Sequence, residues 1–483
     1  MLVYMVNFID RQILSILAND IKADLGLDDA QLGFLYGTAF AVFYALFGIP
    51  LGRLADGTSR VRLLAAGLAL WSAMTAASGI AKNFAQLSLA RVGVGIGEAS
   101  ANPCAYSLLA DWFPPAMRAR ALAIYSSGLF LGSGASLFVG GAIADAWNAS
   151  YSVSPPLGLA GWQIAFLAVG IPGLALALWV RSLKEPERRS AAASGTIGWS
   201  QFLAELFAIL PPFTLLAAGR LGRNTFITNV AFATLFAVIG AILGRVLDNM
   251  LQFGLIALGF YAVASWAIVL RKRDPDTFAL TFGNLAFVAV VLAYSFESYV
   301  GYSLVYWGAP YAERSFAIDK TTLGILIGAP NAVGGFLGVV TGGWIADRLA
   351  ERFAAGRAMT MTIAILAPVP LVLLGYSTTS QSTFLLCNFL IQLTTASALG
   401  AAAAASQSLV APRMRGTAAA IFLLGPTLIG LGFGPFMVGY VSTQTGDLAT
   451  GVIWSIAGAV PALAALMVAV RVMPTAITRL KAA

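Results

Sequence analysis

Ionisable side chains stand inside a long apolar stretch, where a membrane segment would normally exclude them. Arg91 and Glu98 interrupt the run from Phe84 to Phe113. In a helix that rises about 1.5 Å per residue, Glu98 would lie near the bilayer centre, where a charge costs about 2.5–3.5 kcal/mol. Arg91, Glu98 and Asn102 share one helix face. A polar face on an apolar helix must line a protein interior or a water-filled path, which indicates transport.

The composition indicates a membrane protein. The 483 residues are 59% hydrophobic and only 10% charged, whereas soluble chains carry about 25% charged residues. The net charge of +8 comes from Lys and Arg dispersed over short loops, which favours cytoplasmic placement over nucleic-acid binding. The chain has no His, and Cys104 and Cys387 lie in apolar segments. His-dependent triads, the usual zinc sites and a disulfide framework are therefore excluded. No cofactor is expected, and protons would be the coupling ion.

Apolar segments long enough to cross a bilayer predict an all-α membrane protein with fourteen membrane helices. Three domains are predicted: a six-helix bundle at 1–181, a linker region at 182–275 and a second six-helix bundle at 276–483. The linker region would contain an interfacial helix at 199–210 and an inserted membrane hairpin at 226–270. Most Lys and Arg then lie on one side, which predicts an inner (plasma) membrane protein with both termini cytoplasmic.

Two short motifs occur once in each predicted bundle. They are Gly52-x-x-Ala55-Asp56 with Gly343-x-x-Ala346-Asp347, and Pro115-Ala-Met-Arg118 with Pro412-Arg-Met-Arg415. Both copies of a motif must face the same side of the membrane in an internal repeat. The number of inserted membrane segments must therefore be even, which agrees with a two-helix hairpin.

The loop that begins at Gly52 resembles the signature cytoplasmic motif of the major facilitator superfamily. Its pattern is Gly52-x-x-x-Asp56-x-x-x-Arg60, although Gly57 stands where the superfamily usually has a basic residue. The resemblance implies two pseudo-symmetric six-helix bundles, with Asp56 bracing the outward-facing state. The alternative is that the motif only enforces topology. The residues expected in the conformational switch are Gly52, Asp56, Arg60, Arg118, Asp347, Arg348 and Arg415.

Further motifs are similar to those of the Spinster family of lipid transporters within that superfamily. They are Asn7-Phe-Ile-Asp10-Arg11, Gly95-Ile-Gly-Glu98-Ala-Ser-x-x-Pro103, Ala110-Asp111-Trp-Phe113, Arg118-Ala-Arg-Ala-Leu-Ala-Ile-Tyr125 and Glu185-Pro186. The resemblance covers about 1–190 and 320–445, and it fails for the segment 226–270. It implies a monomer in contact with membrane lipids, whose substrate is a lysolipid-like or sphingoid-like amphiphile.

In that fold the first and fourth helices are neighbours, so Asp10, Arg11 and Glu98 are predicted to form a buried carboxylate–guanidinium cluster. We expect Asp10 and Glu98 to carry the coupling proton. Protonation would free Arg11, so that a proton and the anionic head of the substrate compete for the cluster. A permanent salt bridge that only fixes helix packing is the alternative. Arg91 is expected either to line the cavity or to pair structurally with Glu98.

The predicted substrate-binding residues are charged, amide or aromatic side chains within membrane segments. An amphiphile needs apolar walls beside one polar anchor, and amides inside a bilayer need partners. Glu297 would bind a cationic amine or line the outer gate, and packing is the alternative for each aromatic side chain and each amide. The full set is Arg11, Arg91, Asn102, Tyr36, Tyr125, Glu297, Tyr299, Trp307, Asn331, Asn388 and Gln392.

These observations favour a proton-coupled secondary active transporter of lipid-like amphipathic substrates that works by alternating access. An exporter of drugs or small organic anions is the alternative, because the superfamily contains both. An intramembrane enzyme would need a nucleophile–base pair, and the absence of His leaves only unusual chemistries. A channel would need a continuous polar lining, whereas the polar residues cluster near the middle of the predicted helices.

Overall fold

The computed structural model describes residues 1–187, 203, 206, 207, 209–411 and 414–482, and these residues are almost entirely helical. The first nine helices are α1 (Leu2–Ile16), α2 (Ala18–Leu25), α3 (Asp29–Tyr36), α4 (Thr38–Gly57), α5 (Arg60–Ser78), α6 (Phe84–Glu98), α7 (Ala101–Trp112), α8 (Pro115–Ser150) and α9 (Gly161–Ser182). The interfacial helix predicted at 199–210 lies largely outside the described residues.

Fourteen further helices follow from Phe213 onwards. They are α10 (Phe213–Arg220), α11 (Arg223–Val246), α12 (Met250–Arg273), α13 (Pro275–Leu280), α14 (Leu285–Phe316), α15 (Lys320–Leu323), α16 (Ala329–Arg352), α17 (Gly356–Leu366), α18 (Pro368–Ser377), α19 (Gln381–Gln407), α20 (Arg415–Gly425), α21 (Gly432–Thr445), α22 (Leu448–Trp454) and α23 (Ala459–Ala482). A π-helical turn joins α15 to α16, and another joins α20 to α21.

The chain divides by its internal contacts into two compact units. The first unit comprises Met1–Glu205 with Tyr306–Val333, and the second comprises Leu206–Val305 with Gly334–Ala483. Residues 306–333 join the first unit because they pack on α1 and α8. Ser15 Oγ, for example, donates a hydrogen bond of 2.6 Å to the Tyr306 carbonyl. The predicted domain limits at 181 and 275 stay a prediction.

Twelve helical segments of the described residues are long and apolar enough to cross a membrane. They include α11 and α12, the two segments predicted as an inserted hairpin. The predicted helices at 1–19 and 84–113 are not among the twelve, and each contains a break, after Ile16 and after Glu98. The structure is thus an all-helical membrane protein with twelve candidate spans, and the count of fourteen stays a prediction.

The division of the fourth predicted helix has a local cause. Pro103 has no N–H to donate to the carbonyl four residues before it, which removes one bond of the helix. In the same turn, Ser100 Oγ donates to the Gly97 carbonyl at 2.8 Å. The helix predicted as continuous therefore breaks directly after Glu98, the last residue of α6.

Glycines allow two neighbouring helices to approach α6 closely. A Cβ at Gly95 would lie 2.6 Å from the Phe40 carbonyl oxygen of α4, and one at Gly97 would lie 2.8 Å from the Trp71 nitrogen of α5. Real Cβ atoms do not come so near to backbone atoms. The glycine pattern of this helix therefore brings α4 and α5 against the segment that carries Glu98, as small residues do in membrane interfaces.

In the second unit, neutral side chains connect the short helix α10 to the pair formed by α11 and α12. Asn229 Nδ2 donates to Ser265 Oγ at 2.7 Å, and the Tyr261 hydroxyl donates to Asn229 Oδ1 at 2.7 Å. Thr214 Oγ1 lies 2.8 Å from the Tyr261 hydroxyl. All four side chains are buried. We call these four residues the neutral cluster.

Candidate functional site

Arg11 and Glu98 form a buried ion pair within the first unit. Arg11 Nη2 and Nε donate to Glu98 Oε2 at 2.6 and 3.2 Å, and the two residues are 7% and 1% exposed. The Arg11 guanidinium lies 4.8, 4.5 and 5.3 Å from the ring centres of Phe8, Phe40 and Tyr44. Such cation–π contacts stabilise a desolvated cation. The predicted pairing of Arg11 with a buried carboxylate is therefore present.

Asp10 lies next to this pair and is fully buried. Neither of its carboxylate oxygens meets a hydrogen-bond donor at bonding geometry among the described residues. The donor groups of Trp71 and Thr75 lie nearby on α5; both are buried, and neither meets a partner at bonding geometry within the part of the chain that the structure describes. An ionised carboxylate in such surroundings is costly. The sequence showed no signal for Trp71 or Thr75, because neither interrupts an apolar pattern.

Arg91 hydrogen-bonds to the backbone instead of to Glu98. Its Nε donates to the Leu35 carbonyl at 3.2 Å, and its Nη1 donates to the Asp10 carbonyl at 3.3 Å. The side chain is 1% exposed, and its Nη2 has no hydrogen-bond partner among the described residues. Arg91 therefore links α6 to α1 and α3, and its role in substrate binding stays a prediction.

Asn102 and Tyr125, two predicted substrate-binding residues, lie together on α7 and α8. The Tyr125 hydroxyl donates to Asn102 Oδ1 at 3.1 Å, and Asn102 Nδ2 donates to the Tyr44 hydroxyl at 3.4 Å. Tyr125 also stacks on Tyr4 with ring centres 4.5 Å apart. Since Tyr44 lies over Arg11 as well, an aromatic surface runs from the Arg11–Glu98 pair to Asn102.

Tyr36 and Trp307 are also brought together within the first unit. Their ring centres are 5.2 Å apart in an edge-on arrangement, and Tyr36 stacks on Tyr306 at 5.0 Å. Tyr36 and Trp307 are fully buried. Asn331 belongs to the same unit, and its Oδ1 is buried without a hydrogen-bond partner among the described residues.

A network of charged side chains in the first unit was missed by sequence reasoning. It joins α2 and α3 to the end of α14 and the start of α15, and we call it the Asp29–Lys320 network. Its contacts are Arg314 to Asp29 at 2.8 and 2.9 Å, Lys22 to Asp29 at 2.7 Å, and Lys320 to Asp20 at 2.9 Å and to Glu313 at 2.7 Å. No sequence signal pairs residues that are 285 positions apart.

Glu297, Tyr299, Asn388 and Gln392 belong to the second unit. Glu297 is 4% exposed and Asn388 is 9% exposed, whereas Gln392 is half-buried. Glu297 Oε1 and Thr395 Cβ both lie about 4 Å from the position that a Cβ of Gly301 would occupy, so Glu297 faces α19. No hydrogen bond among the described residues joins Glu297 to the other three predicted residues, and their shared role stays a prediction.

The loop motif in the first unit is held by Arg60, which is 1% exposed. Arg60 forms ion pairs with Asp111 and, through Nε at 2.8 Å, with Glu185. It also donates to the Ser107 hydroxyl at 2.9 Å and to the Pro186 carbonyl at 3.1 Å. These contacts, which we call the Arg60 cluster, fasten the start of α5 to α7 and to the segment after α9.

Glu185 accepts further hydrogen bonds from the first turn of α5. The Val61 N–H and the Ser59 hydroxyl donate to its Oε2 at 2.9 and 2.8 Å. Burial alone would raise the pKa of Glu185, but the hydrogen bonds from Val61, Arg60 and Ser59 outweigh it and lower the pKa below its usual value. The carboxylate is therefore stabilised in its ionised form.

The other predicted switch residues make weaker contacts. Arg118 Nε donates to the Phe113 carbonyl at 3.2 Å, and the Arg348 guanidinium lies 4.7 Å from the Trp344 ring centre. Asp347, 76% exposed in its side chain, lies 3.7 Å from Arg357. Arg415 is the first residue of α20. A Cβ at Gly52 would lie 3.8 Å from Pro103, and Asp56 lies in the last turn of α4.

Twelve candidate membrane spans and charged side chains buried between helices are typical of membrane transporters, and the similarity to known proteins agrees. The family model of the Major Facilitator Superfamily matches residues 1–312. The chain belongs to this superfamily and is a multi-pass integral membrane transporter.

No group of three or more acidic or Cys side chains that could hold a metal ion occurs among the described residues.

Within the superfamily, the chain resembles the Spinster family. It is 30% identical to the mouse protein spinster homolog 1 over 235 residues, which are 48% of this chain and 41% of the mouse protein. The structure of a bacterial homologue of the human lysosomal transporter Spinster, inward-facing and unoccupied, superposes with a TM-score of 0.73 and 25% identity, covering 98% and 96% of the two chains.

A further relative is an MFS-type efflux pump of Mycolicibacterium smegmatis. It is 28% identical over 449 residues, which are 92% of this chain and 83% of the pump. The family and its structural neighbours are transporters and not enzymes.

Proposed function

We propose that the chain is a proton-coupled secondary active transporter of lipid-like amphipathic substrates, with a lysolipid-like or sphingoid-like character, that works by alternating access. The observation that carries the proposal is the buried Arg11–Glu98 pair beside Asp10. The carboxylate of Asp10 meets no hydrogen-bond donor at bonding geometry among the described residues. Buried charge at this depth is costly, and in membrane proteins it marks ion and substrate pathways.

Protonation would change what Arg11 can bind. A proton on Glu98 neutralises the acceptor that now takes both Arg11 hydrogen bonds, and a proton on Asp10 removes a second buried negative charge. The guanidinium is then available to a phosphate or carboxylate head, whose two oxygens match its planar donors. Release of the proton restores the ion pair and expels the anion. The ionised Glu98 carboxylate and the substrate head thus compete for one cation, and a proton on Glu98 favours the head.

The surroundings of Arg11 suit an amphiphile. The rings of Phe8, Phe40 and Tyr44 lie about its guanidinium, and the stacked pair of Tyr4 and Tyr125 continues this surface. A binding site with large apolar walls and one charged anchor holds an apolar tail and an anionic head together. Tyr36, Asn102, Trp307 and Asn331 would extend the site in the first unit. In the second unit, the residues that we propose to contact the substrate are Glu297, Tyr299, Asn388 and Gln392.

Alternating access needs contacts that form on one side and separate when that side opens. The Asp29–Lys320 network is suited to this role, because four of its side chains are partly exposed and water can replace the partners that they lose: Asp20, Lys22, Glu313 and Arg314. The Arg60 cluster and the loop from Gly52 to Arg60 would act at the other end of the helices. Arg118, Asp347, Arg348 and Arg415 would complete this conformational switch.

The proposed topology has fourteen membrane helices, both termini in the cytoplasm and the chain in the inner (plasma) membrane as a monomer. The twelve candidate spans include the hairpin helices α11 and α12. Adding the two divided helices, α1 with α2 and α6 with α7, gives fourteen. With the N-terminus inside, most of the 29 Lys and Arg lie on the cytoplasmic side, which supports the orientation.

Transport by liposomes containing the full chain tests the proposal. An inward-directed proton gradient should drive uptake of a fluorescent lysophospholipid, and a pH-sensitive dye inside should report proton movement with it. Asp10→Asn and Glu98→Gln should each abolish the dependence of uptake on the gradient. Glu351→Gln, at an exposed position of α16, should keep it.

Three results would contradict proton coupling at this cluster. They are gradient-driven uptake that is unchanged in both Asp10→Asn and Glu98→Gln, substrate movement without proton movement, and an equal loss in Glu351→Gln. A permanent structural salt bridge predicts something different again: Glu98→Gln would lower the thermal stability of the protein without changing the pH dependence of the uptake that remains.

The second candidate function is export of drugs or small organic anions. It is favoured by the similarity to an efflux pump over 92% of this chain. The same liposomes can be offered a compact aromatic anion in place of the lysophospholipid. Faster proton-driven transport of the compact anion, with no competition by lysophospholipid, would favour this candidate.

A further inference from the structure

A cavity lies in the second unit where α12 meets the main helices. Its volume is about 160 Å³, and its lining is almost wholly apolar. Phe260 and Val263 of α12 form one wall, Val288 and Leu292 of α14 form a second, and Leu424 of α20 forms part of a third. A space of this size with apolar walls excludes water and accepts an apolar guest.

The cavity reaches the surface of helices that are candidate membrane spans. Leu292, one of its lining residues, is 36% exposed. The adjoining helix α11 exposes most of its apolar length. Only 11% of its most apolar 18-residue stretch is buried, against 61% for the corresponding stretch of α12. In a bilayer these exposed surfaces face lipid chains. The apolar group that lies next to the opening of the cavity at Leu292 is therefore a lipid chain.

A π-helical turn forms part of the cavity wall. It covers Pro426–Leu431, and its residues Leu428 and Ile429 line the cavity. Pro426 has no N–H to donate to the preceding turn, and a widened turn accommodates the missing bond. Just beyond this turn, Gln252 Nε2 of α12 donates to the Gly432 carbonyl at 3.4 Å. The cavity is therefore bounded by the widened part of the helix from Arg415 to Thr445.

We propose that this cavity binds a segment of one fatty acyl chain of a bilayer phospholipid, which fills the space between α12 and the π-helical turn. No lining side chain carries a charge or a strong hydrogen-bonding group, so a polar head or a water cluster would find no partner inside. An acyl chain needs none, and its head group stays outside. The inference is independent of the transported substrate, although it requires the hairpin to lie in the membrane.

Photolabelling of the full chain in phospholipid nanodiscs tests the site. The probe is a phosphatidylglycerol with a diazirine in the middle of one acyl chain, present in trace amount among phosphatidylethanolamine and phosphatidylglycerol. Labelled peptides are then located by mass spectrometry. We expect the label to concentrate on the segments 260–263, 288–292 and 421–429, above the level on the freely exposed positions of α11.

Filling the cavity should remove the label. Val263→Phe and Val288→Phe place a larger side chain in the space, and each should lower labelling of these segments several-fold. Val238→Phe makes the same change at a 50% exposed position of α11 and should leave labelling unchanged. If a Phe variant fails to fold, Val263→Ile and Val288→Leu give smaller fillings, for which a partial loss is expected.

Two outcomes would overturn the proposal. The first is a labelling pattern that does not depend on the cavity. Either the label spreads evenly over all exposed helices, or the filling variants do not reduce the label at the cavity, and both results mean that the lipid chain does not enter the cavity. The other is displacement of the label by excess transported substrate, because this makes the cavity part of the transport path. Failure of proton-driven transport in the liposome assay would leave the labelling pattern intact, so the two proposals fail separately.

Discussion

The two units of the molecule hold their helices together with different kinds of polar contact. The first unit uses buried charges, in the Arg11–Glu98 pair and in the Arg60 cluster. The second unit uses the neutral cluster around Asn229, and its pair between Arg357 and Asp347 is largely exposed. Both arrangements satisfy polar groups between helices, but only the first responds to the gain or loss of a proton.

This difference indicates how work is divided in the protein. A buried ion pair is weak evidence for stability, because neutral or apolar side chains of similar size often do as well. Charges buried between the helices of a membrane protein therefore favour a functional explanation. We expect the coupling step to reside in the first unit. The neutral contacts around Asn229 favour a framework role for α10, α11 and α12, whereas Glu297, a buried carboxyl group of the second unit, can still gain or lose a proton.

The largest effect on stability is expected for Arg60→Ala. Arg60 is 1% exposed, and removing one partner of a buried pair leaves the other charges unpaired. Because Asp111 and Glu185 remain 16% and 30% exposed in their side chains and can be rehydrated, we expect a loss of about 3 kcal/mol, the lower end of the usual range. Unfolding of the purified protein by SDS in mixed micelles measures this change.

The control is Arg357→Ala at the exposed pair of the second unit. The side chains of Arg357 and Asp347 are 37% and 76% exposed and lie 3.7 Å apart. The loss of unfolding free energy should therefore stay within about 0.5 kcal/mol. If both variants lost the same free energy of unfolding, the contrast between buried and exposed charge in the two units would be wrong.

An intermediate effect is expected for Asn229→Leu. Leu fills a similar volume but leaves Ser265 Oγ and the Tyr261 hydroxyl without the two hydrogen bonds of 2.7 Å. Hydrogen bonds between membrane helices contribute about 0.6 kcal/mol on average and up to about 1.7, so we expect a loss of about 1–2 kcal/mol. The same SDS titration measures it, at pH 7 and again at pH 5, where the loss should be unchanged.

Thr228→Val is the matched control for this prediction. Thr228 is the exposed neighbour of Asn229, and among the described residues its hydroxyl bonds only to the Asn224 carbonyl of its own helix, at 2.9 Å. Its replacement should leave the free energy of unfolding nearly unchanged. A pH-dependent loss in Asn229→Leu would show that charged groups act in this part of the second unit as well.

The cluster around Glu98 was predictable because each of its charges interrupts an apolar segment. Such residues are few, and burial forces them to find one another, as Arg11 and Glu98 do at 2.6 Å. The rotation of each helix decides which atoms meet, and the order of residues does not reveal it. The spacing of Arg91 and Glu98 predicts that they share a helix face. In the structure, however, Arg91 donates to the Leu35 and Asp10 carbonyls.

Contacts between distant residues and breaks within helices could not be predicted in the same way. Arg60 was identified by its motif, but Asp111 and Glu185 lie 51 and 125 residues away. Pro103 was visible in the sequence, yet apolar length alone favoured an unbroken helix through Glu98. The Asp29–Lys320 network joins helix ends, where charged residues are common and no pattern distinguishes those that pair.

The smallest expected effect is a pH dependence of the Arg60 cluster that arises from Glu185. Hydrogen bonds from Val61, Arg60 and Ser59 lower the pKa of Glu185 in the folded protein, although burial opposes them. Its carboxylate therefore stabilises the fold above the unfolded-state pKa, near 4.5, and this contribution is lost as the pH falls below that value. Because the side chain is 30% exposed, we expect less than about 1 kcal/mol.

The measurement is the thermal stability of the wild type and of Glu185→Gln between pH 7 and pH 4. The wild type should be the more stable at pH 7, and the difference should shrink as the pH falls below 4.5, because the protonated acid then resembles the amide. Glu187→Gln, at an exposed position two residues away, should follow the wild type throughout. A stability difference between the wild type and Glu185→Gln that grows on acidification would contradict this prediction, because a lowered pKa requires the opposite sign. It would mean that the hydrogen bonds from α5 do not stabilise the ionised carboxylate.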